Sequence, residues 1–256
     1  MRRAALVLVL AWPVAAHGAR PRFEPTDLEL EDPGTLDIDL QLGPADGQSA
    51  WRMVMPDFEV DLGILPELEL DVDGAWAWEG GPSDNFFDHI APDNLWVSAK
   101  LGIADWREAD GSSAWALGLQ VGPKLPAAPG TSGLGVEGLA LIGHFVGRTH
   151  LVLNVGGFVD PDAGSGRPRA VEGGLDLDLD LDADGIFSLN GELGGTYYFS
   201  SDPNEASATL GVTWAATPML DLSVAALVGF ASGSDHFAFF VGVSPKFKLW
   251  GPAKSR

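Results

Sequence analysis

The sequence predicts an all-β fold, a single up-and-down antiparallel transmembrane β-barrel of about twelve strands behind an N-terminal signal peptide. Three observations carry that expectation. Apolar and polar residues alternate with period two along most of the chain. A short basic-then-apolar leader opens it. The connections between alternating segments are by turns long and tight.

The leader has Arg2 and Arg3 before an apolar stretch over residues 4–11, and small residues for cleavage after Ala16 or Gly18. The expected organisation is therefore a signal peptide (1–18), a periplasmic N-terminal segment (19–34), a barrel (35–250) and a C-terminal tail (251–256). No cysteine follows the leader, which excludes a lipoprotein anchor, disulfides, thiol catalysis and thiolate metal sites. Beyond the leader there is no run of about eighteen apolar residues, so no transmembrane helix is available.

Composition agrees with a barrel. The 256 residues are 46% hydrophobic with a mean hydropathy of +0.10, too apolar for a disordered acidic chain despite a net charge of −21. In a barrel every second residue carries the apolar content, so a sliding window averages it away. The acidic balance argues against a nucleic-acid partner, whose phosphates require a basic surface.

Alternation is clearest at 175–182, where Leu and Asp repeat four times, and similar patterns occupy 35–42, 58–62 and 67–73. Further strands are expected at 95–103, 115–124, 134–146, 149–159, 186–199, 206–215, 219–230 and 237–249. Most are about ten residues or slightly more, the length that crosses a bilayer at a tilt. Tight connections fall at 64–66, 147–148, 184–185 and 217–218. Asp184-Gly185 is a strong two-residue hairpin signal. Longer polar ones fall at 43–50, 79–93, 126–133, 160–168 and 200–205. Only 105–113, which should be a short turn, breaks the series. An even-stranded barrel has periplasmic termini, short periplasmic turns and long outer loops. A soluble sandwich has no reason to alternate in this way. Eight tryptophans (51, 76, 78, 96, 106, 115, 214 and 250) fall mostly near strand ends, where interfacial girdles sit.

The stretch Glu24-Pro-Thr-Asp-Leu-Glu-Leu-Glu-Asp-Pro-Gly-Thr-Leu-Asp-Ile-Asp resembles the mature N-terminus of an outer-membrane family of channel proteins associated with the meta-pathway of phenol degradation. Leu62-Gly-Ile-Leu-Pro-Glu-Leu-Glu-Leu and Gly122-Pro-Lys-Leu-Pro resemble it too. The resemblance implies an outer-membrane barrel for uptake of small, often hydrophobic compounds, and no catalytic residues. The chain departs from that pattern in its dense acid ladder, in Pro245 within the last strand, and in six residues beyond Trp250.

If the apolar members of each strand face lipid, the alternate residues line the lumen. The expected lining is Asp37, Asp39, Glu59, Asp61, Glu67, Glu69, Asp71, Asp73, Asp176, Asp178, Asp180, Asp182, Glu192 and Asp221, with Lys100, Lys124, Lys246 and Lys248 as its cations. Ser207, Thr209, Ser223 and Gly229 make the lining less uniform near the end. Such a wall concentrates cations and repels anions. Its ordinary structural role is to keep the inner surface hydrated, acids pairing with lysines. Closure of the barrel should set Asp37 and Asp39 beside Lys246 and Lys248 across the seam. Loop residues Phe86, Phe87 and His89 are candidates for a constriction.

Other chemistry finds little footing. Asp180, Asp182, Asp184 and Gly185 match the opening of an EF-hand loop, but its twelfth position is Gly191, with Glu192 one place late, and an alternating strand entering an Asp-Gly hairpin gives the same spacing. His144, His150 and His236 lie near turns without a serine or acid spaced as a nucleophile–base pair. No metal-binding histidine cluster or phosphate-cradling glycine motif is present, and neither a cofactor nor a catalytic residue is expected. The expected function is an outer-membrane channel for passive passage of small solutes, cationic or neutral. The alternatives are a non-conducting structural or surface-display barrel and a lipid-modifying enzyme. The expected partners are outer-membrane lipid, small solutes and the barrel-assembly machinery; oligomeric state is left open.

Overall fold

The computed structural model describes residues 28, 30–47, 51–79, 90–108, 112–164, 166–199 and 202–251. The signal peptide, the constriction candidates Phe86, Phe87 and His89, and the tail from 252 onward lie outside them.

The described residues form thirteen strands and no helix. In chain order these are β1 (Thr35–Asp46), β2 (Trp51–Leu65), β3 (Leu68–Glu79), β4 (Ile90–Pro92), β5 (Leu95–Arg107), β6 (Ser113–Leu125) and β7 (Gly135–Val146). They continue with β8 (Thr149–Val159), β9 (Arg169–Asp180), β10 (Phe187–Tyr198), β11 (Glu205–Thr217), β12 (Leu220–Gly229) and β13 (Phe237–Lys248).

The main strands pair antiparallel with their chain neighbours, and β1 pairs both β2 and β13, so the sheet closes on itself. The result is the expected barrel of 12 strands plus one short extra strand. That extra strand, β4, continues the line of β5: it pairs with residues 76–78 of β3, whereas β5 pairs with residues 68–73. Between them the Asp93 N–H donates to the Ala75 carbonyl at 2.8 Å, which carries the ladder across the break. Closure matters because an unpaired backbone group in hydrocarbon costs several kcal/mol, and a ring of strands leaves no edge.

The burial pattern is inverted relative to a water-soluble protein. Large apolar side chains point outward and stay exposed, among them Leu210, Val155, Leu193 and Ile103. Acids, amides and hydroxyls fill the inner face, with Asp71, Asp176, Asp221 and Asn154 each only 1% exposed. This is the low-energy arrangement where hydrocarbon surrounds the wall and a polar lumen lies inside.

The tight turns lie at one end of the barrel, the end where Thr35 of β1 and Lys248 of β13 face each other. Several strands extend further than alternation alone indicates, whereas β7, β10, β12 and β13 are one or two residues shorter than expected. β2 covers 51–65 rather than 58–62, and β5 and β6 together shrink the exceptional 105–113 connection to residues 108–112. Its closing bond runs from the Glu108 N–H to the Ser113 carbonyl at 3.0 Å.

Two expectations need correction at this end. The Asp184-Gly185 hairpin is not a two-residue turn: the strands part after Asp180 and rejoin at Phe187. Asp182 is the cause, because its carboxylate accepts the N–H groups of Asp184 (3.0 Å), Ile186 (3.0 Å) and Phe187 (2.8 Å) and replaces ladder bonds. Glu67 sits exposed in the turn between β2 and β3 rather than on the inner wall, because β3 begins one residue later, at Leu68.

Candidate pore lumen

Eleven of the charged residues expected in the lining are buried on the inner wall: Asp37, Asp39, Glu59, Asp61, Glu69, Asp71, Lys100, Asp176, Asp178, Glu192 and Asp221. Asp73 and Lys124 are less deeply enclosed and line a cavity in the upper lumen. Asp180 closes the lower end of β9, accepting a hydrogen bond from Ser188 Oγ at 3.0 Å. Asp182 is a turn cap, not a lumen residue. Thr209 and Ser223 are buried on the inner face.

The lumen lysines are matched to acids. Lys246 Nζ lies 2.7 Å from Asp37 and 3.1 Å from Glu31. Lys100 Nζ lies 2.7 Å from Glu69, both side chains 1% exposed. Lys124 Nζ bridges Glu137 at 2.9 Å and Asp160 at 3.0 Å, and stands 4.3 Å from the centre of the Phe158 ring. A charge taken from water is tolerable only when so paired.

The seam arrangement differs by one rung from expectation. Asp37 faces Lys246, but Lys248 faces Thr35 and turns to the rim, donating to the Pro33 carbonyl at 2.8 Å. Asp39 sits opposite Glu59 on β2. Lys248 is therefore a rim residue, because β13 ends as it reaches the mouth.

Two polar networks cross the wall. In one, Asp71 accepts from Ser98 Oγ (3.0 Å) and Gln120 Nε2 (2.9 Å), beside the Lys100–Glu69 pair. Asp61, Glu69 and Asp71 offer oxygens within 4.8 Å of one another, close enough to share a cation, and Lys100 already supplies a positive charge there. In the other, Asn190 donates to Asp178 and accepts from Thr213 Oγ1 at 2.8 Å.

The described part of the N-terminal segment reaches into the lumen from its lower mouth. Leu28 packs with Trp96, Leu139, Leu141 and Val152 in an apolar cluster inside the barrel. Its close fit explains two glycines: a Cβ on Gly118 or Gly143 would stand 2.5 Å or 2.8 Å from a Leu28 methyl. Glu31 anchors the segment through Lys246 and through its own N–H, which donates to Glu69. Sequence reasoning missed this cluster because Glu137 alone marks the inner face of β7, which is otherwise as apolar as the outer face, so alternation gave little sign that Leu139 and Leu141 point inward. A second inner apolar patch, Ala45, Val54, Leu227, Ala238 and Phe240, went unseen for the same reason.

Above this floor, towards the long loops, lies a cavity of about 600 Å³. Eight carboxylates and two cations line it, together with Trp96, Leu139, Phe158 and Tyr198. Its two cations are engaged: Lys124 as above, and Arg52 with Asp235 at 2.6 Å. The three histidines among the described residues sit against rings or an acid. His144 stacks on Trp115 at 4.0 Å, His150 lies edge-on to Phe145 at 5.1 Å, and His236 is 3.9 Å from Asp46.

No known family profile matches the sequence, and no curated protein matches it. Solved structures do. An outer-membrane channel from Pseudomonas putida F1 is similar at a TM-score of 0.62 with 14% identity, over 88% of this chain and 100% of that one. The NanC porin is similar at 0.59 with 11% identity, covering 82% and 100%. The KdgM porin is similar at 0.54 with 11% identity, covering 82% and 99%. The fold is that of an outer-membrane β-barrel. At such identities the likeness fixes the architecture, and the lumen chemistry has to be argued from this chain's own residues.

Proposed function

We propose that the chain is an outer-membrane channel for passive passage of small solutes, with a lumen that favours cationic or neutral compounds. The observation that carries this reading is the inverted wall, apolar outside and lined by carboxylates inside around a 600 Å³ cavity. A low-dielectric wall focuses the field of those acids along the axis, enriching cations and depleting anions. The similar structures, named as a channel and as porins, support the same reading. Twelve strands fall between filled eight-stranded barrels and open porins of about sixteen, in keeping with a narrow passage. Passage of hydrophobic compounds, implied by the family resemblance, would draw on the two inner apolar patches. Lipid around the wall and the assembly machinery at insertion are the partners that this placement requires. The test is unitary conductance of purified protein in planar bilayers; discrete steps support a channel, and their absence rejects it.

A non-conducting barrel is the second reading, favoured by the Leu28 cluster inside the lumen. In that case heat-modifiable migration marks a folded barrel while bilayers stay silent. A lipid-modifying enzyme would release fatty acid from phospholipid vesicles, and an assay of that release decides it.

A further inference from the structure

Four lysines and arginines among the described residues lie at the long-loop end of the barrel: Arg52, Lys124, Arg167 and Arg169. The first two line the upper cavity and are held by acids, Arg52 by Asp235 and Lys124 by Glu137 and Asp160. Arg167 and Arg169 differ. Both are exposed, and neither forms an ion pair among the described residues. The chain carries 36 acids against 15 lysines and arginines, so two neighbouring cations without an acid depart from its general balance. The two acids of the loop before them are engaged elsewhere, Asp160 with Lys124 and Asp162 with the Gly164 N–H at 2.8 Å. From this geometry we infer that the outer rim around Arg167 and Arg169 binds the phosphorylated headgroup of an outer-leaflet lipid.

Strand alternation sets Arg169 on the lipid-facing side. Ala170 is buried inside, and Arg169 shares its face with the exposed Val171, Leu175 and Leu177. On the neighbouring strand Tyr197 pairs with Val171, and the Phe199 N–H donates to the Arg169 carbonyl at 2.8 Å. Tyr197 and Phe199 are each more than half exposed, and their rings meet edge to face at 5.6 Å. Outward aromatics near a strand end mark the level where hydrocarbon gives way to headgroups. Arg167 reaches the same rim from the loop side. Its Nη1 donates to the Leu134 carbonyl at 2.8 Å, and its Nη2 lies against Gly133, where a Cβ would stand 2.7 Å away. This hold places the guanidinium and leaves most of its five N–H donors for another acceptor. A planar fork of donors suits phosphate oxygens, and basic residues beside a hydrocarbon surface recruit anionic headgroups. Long loops face the outside of the cell, so the leaflet at this rim is the outer one, whose glycolipid carries phosphates.

The inference rests on the orientation of the barrel in an outer membrane and does not require conduction. Native mass spectrometry of the refolded full-length barrel in detergent tests it, with bis-phosphorylated lipid A as the probe and its dephosphorylated form as the control. One lipid A should be retained per barrel, and the dephosphorylated lipid at least about tenfold less tightly. Arg169→Gln should weaken retention of lipid A by about tenfold. Its side chain has no partner among the described residues, so that loss reports the lipid and not a broken contact within the protein. Arg167→Gln combined with Arg169→Gln should abolish the preference for the phosphorylated form. Arg148→Gln, which removes an exposed arginine from the opposite rim, should change nothing. Orthophosphate at the concentration of the lipid should not compete, because it has no acyl chains to settle on the wall. Heat-modifiable migration confirms that each variant is folded. Equal retention of the dephosphorylated lipid, a preference that survives in the folded double variant, an equal loss in Arg148→Gln, or displacement by equimolar orthophosphate overturns the inference. A barrel that conducts but shows no preference for the phosphorylated lipid rejects this site and leaves the channel reading intact; one that retains lipid A without conducting does the reverse.

Discussion

Lys246 Nζ lies 2.7 Å from Asp37 Oδ2 across the seam where the last strand meets the first. The same ammonium reaches Glu31 at 3.1 Å, so a single side chain ties the barrel closure to the segment folded into its mouth. Removing it strips two acids of their partner in a mostly enclosed place. Lys246→Gln should therefore destabilise the barrel by about 3 kcal/mol, the lower end for breaking a buried pair. Urea unfolding in lipid vesicles, followed by tryptophan fluorescence, measures the loss. Asp37→Asn combined with Lys246→Gln should cost less than the sum of the two single changes.

Gly118 and Gly143 leave room for Leu28. Gly143→Val should expel that side chain from the lumen, because its methyls and the new ones cannot occupy the same space. The expected result is a larger unitary conductance with an unchanged barrel signature on gels. Unchanged conductance would show that the segment does not narrow the passage.

Asp182 caps its turn with three backbone N–H groups, chiefly those of Ile186 and Phe187, and these hold its carboxyl below the ordinary aspartate range. A depressed pKa means that the contribution to stability is complete above the ordinary value and is lost as pH falls through the lowered one. Unfolding midpoints of wild type and Asp182→Ala should thus differ at neutral pH and converge in strong acid. A difference that persists at the acid end would contradict the charged cap.

Thr209 and Leu210 are adjacent on β11 and face opposite ways, 5% and 60% exposed. Leu210→Lys should destabilise the inserted barrel by about 2–4 kcal/mol if the site lies near the bilayer midplane. Thr209→Lys should be tolerated and should shift ion preference away from cations. Equal penalties at the two positions would mean that inside and outside are wrongly assigned.

How much of this was legible in the sequence depended on contrast between the two faces of a strand. In β9 the Leu–Asp repeat gives maximal contrast, and Asp176 and Asp178 lie inward as alternation requires. Turn order likewise gave the strand count, because long and tight connections report which end of the barrel they serve. In β7 the contrast is reduced to the single acid Glu137, so the inward Leu139 and Leu141 did not stand out, and with them the lodging of Leu28. Asp182 failed for another reason: its spacing fits a strand, but its carboxylate competes for backbone N–H groups and ends the ladder. Nothing local distinguishes Asn154 from other polar wall residues, since its place on a cavity floor arises only when β6 and β8 flank β7.

Whether the acid-lined barrel passes cations in preference to anions is decided by the reversal potential in a potassium chloride gradient across a planar bilayer. Channels should reverse at a potential of the sign set by potassium, with the magnitude falling as salt rises and screens the lumen acids. A reversal potential of chloride sign would contradict the acidic lumen as the source of selectivity.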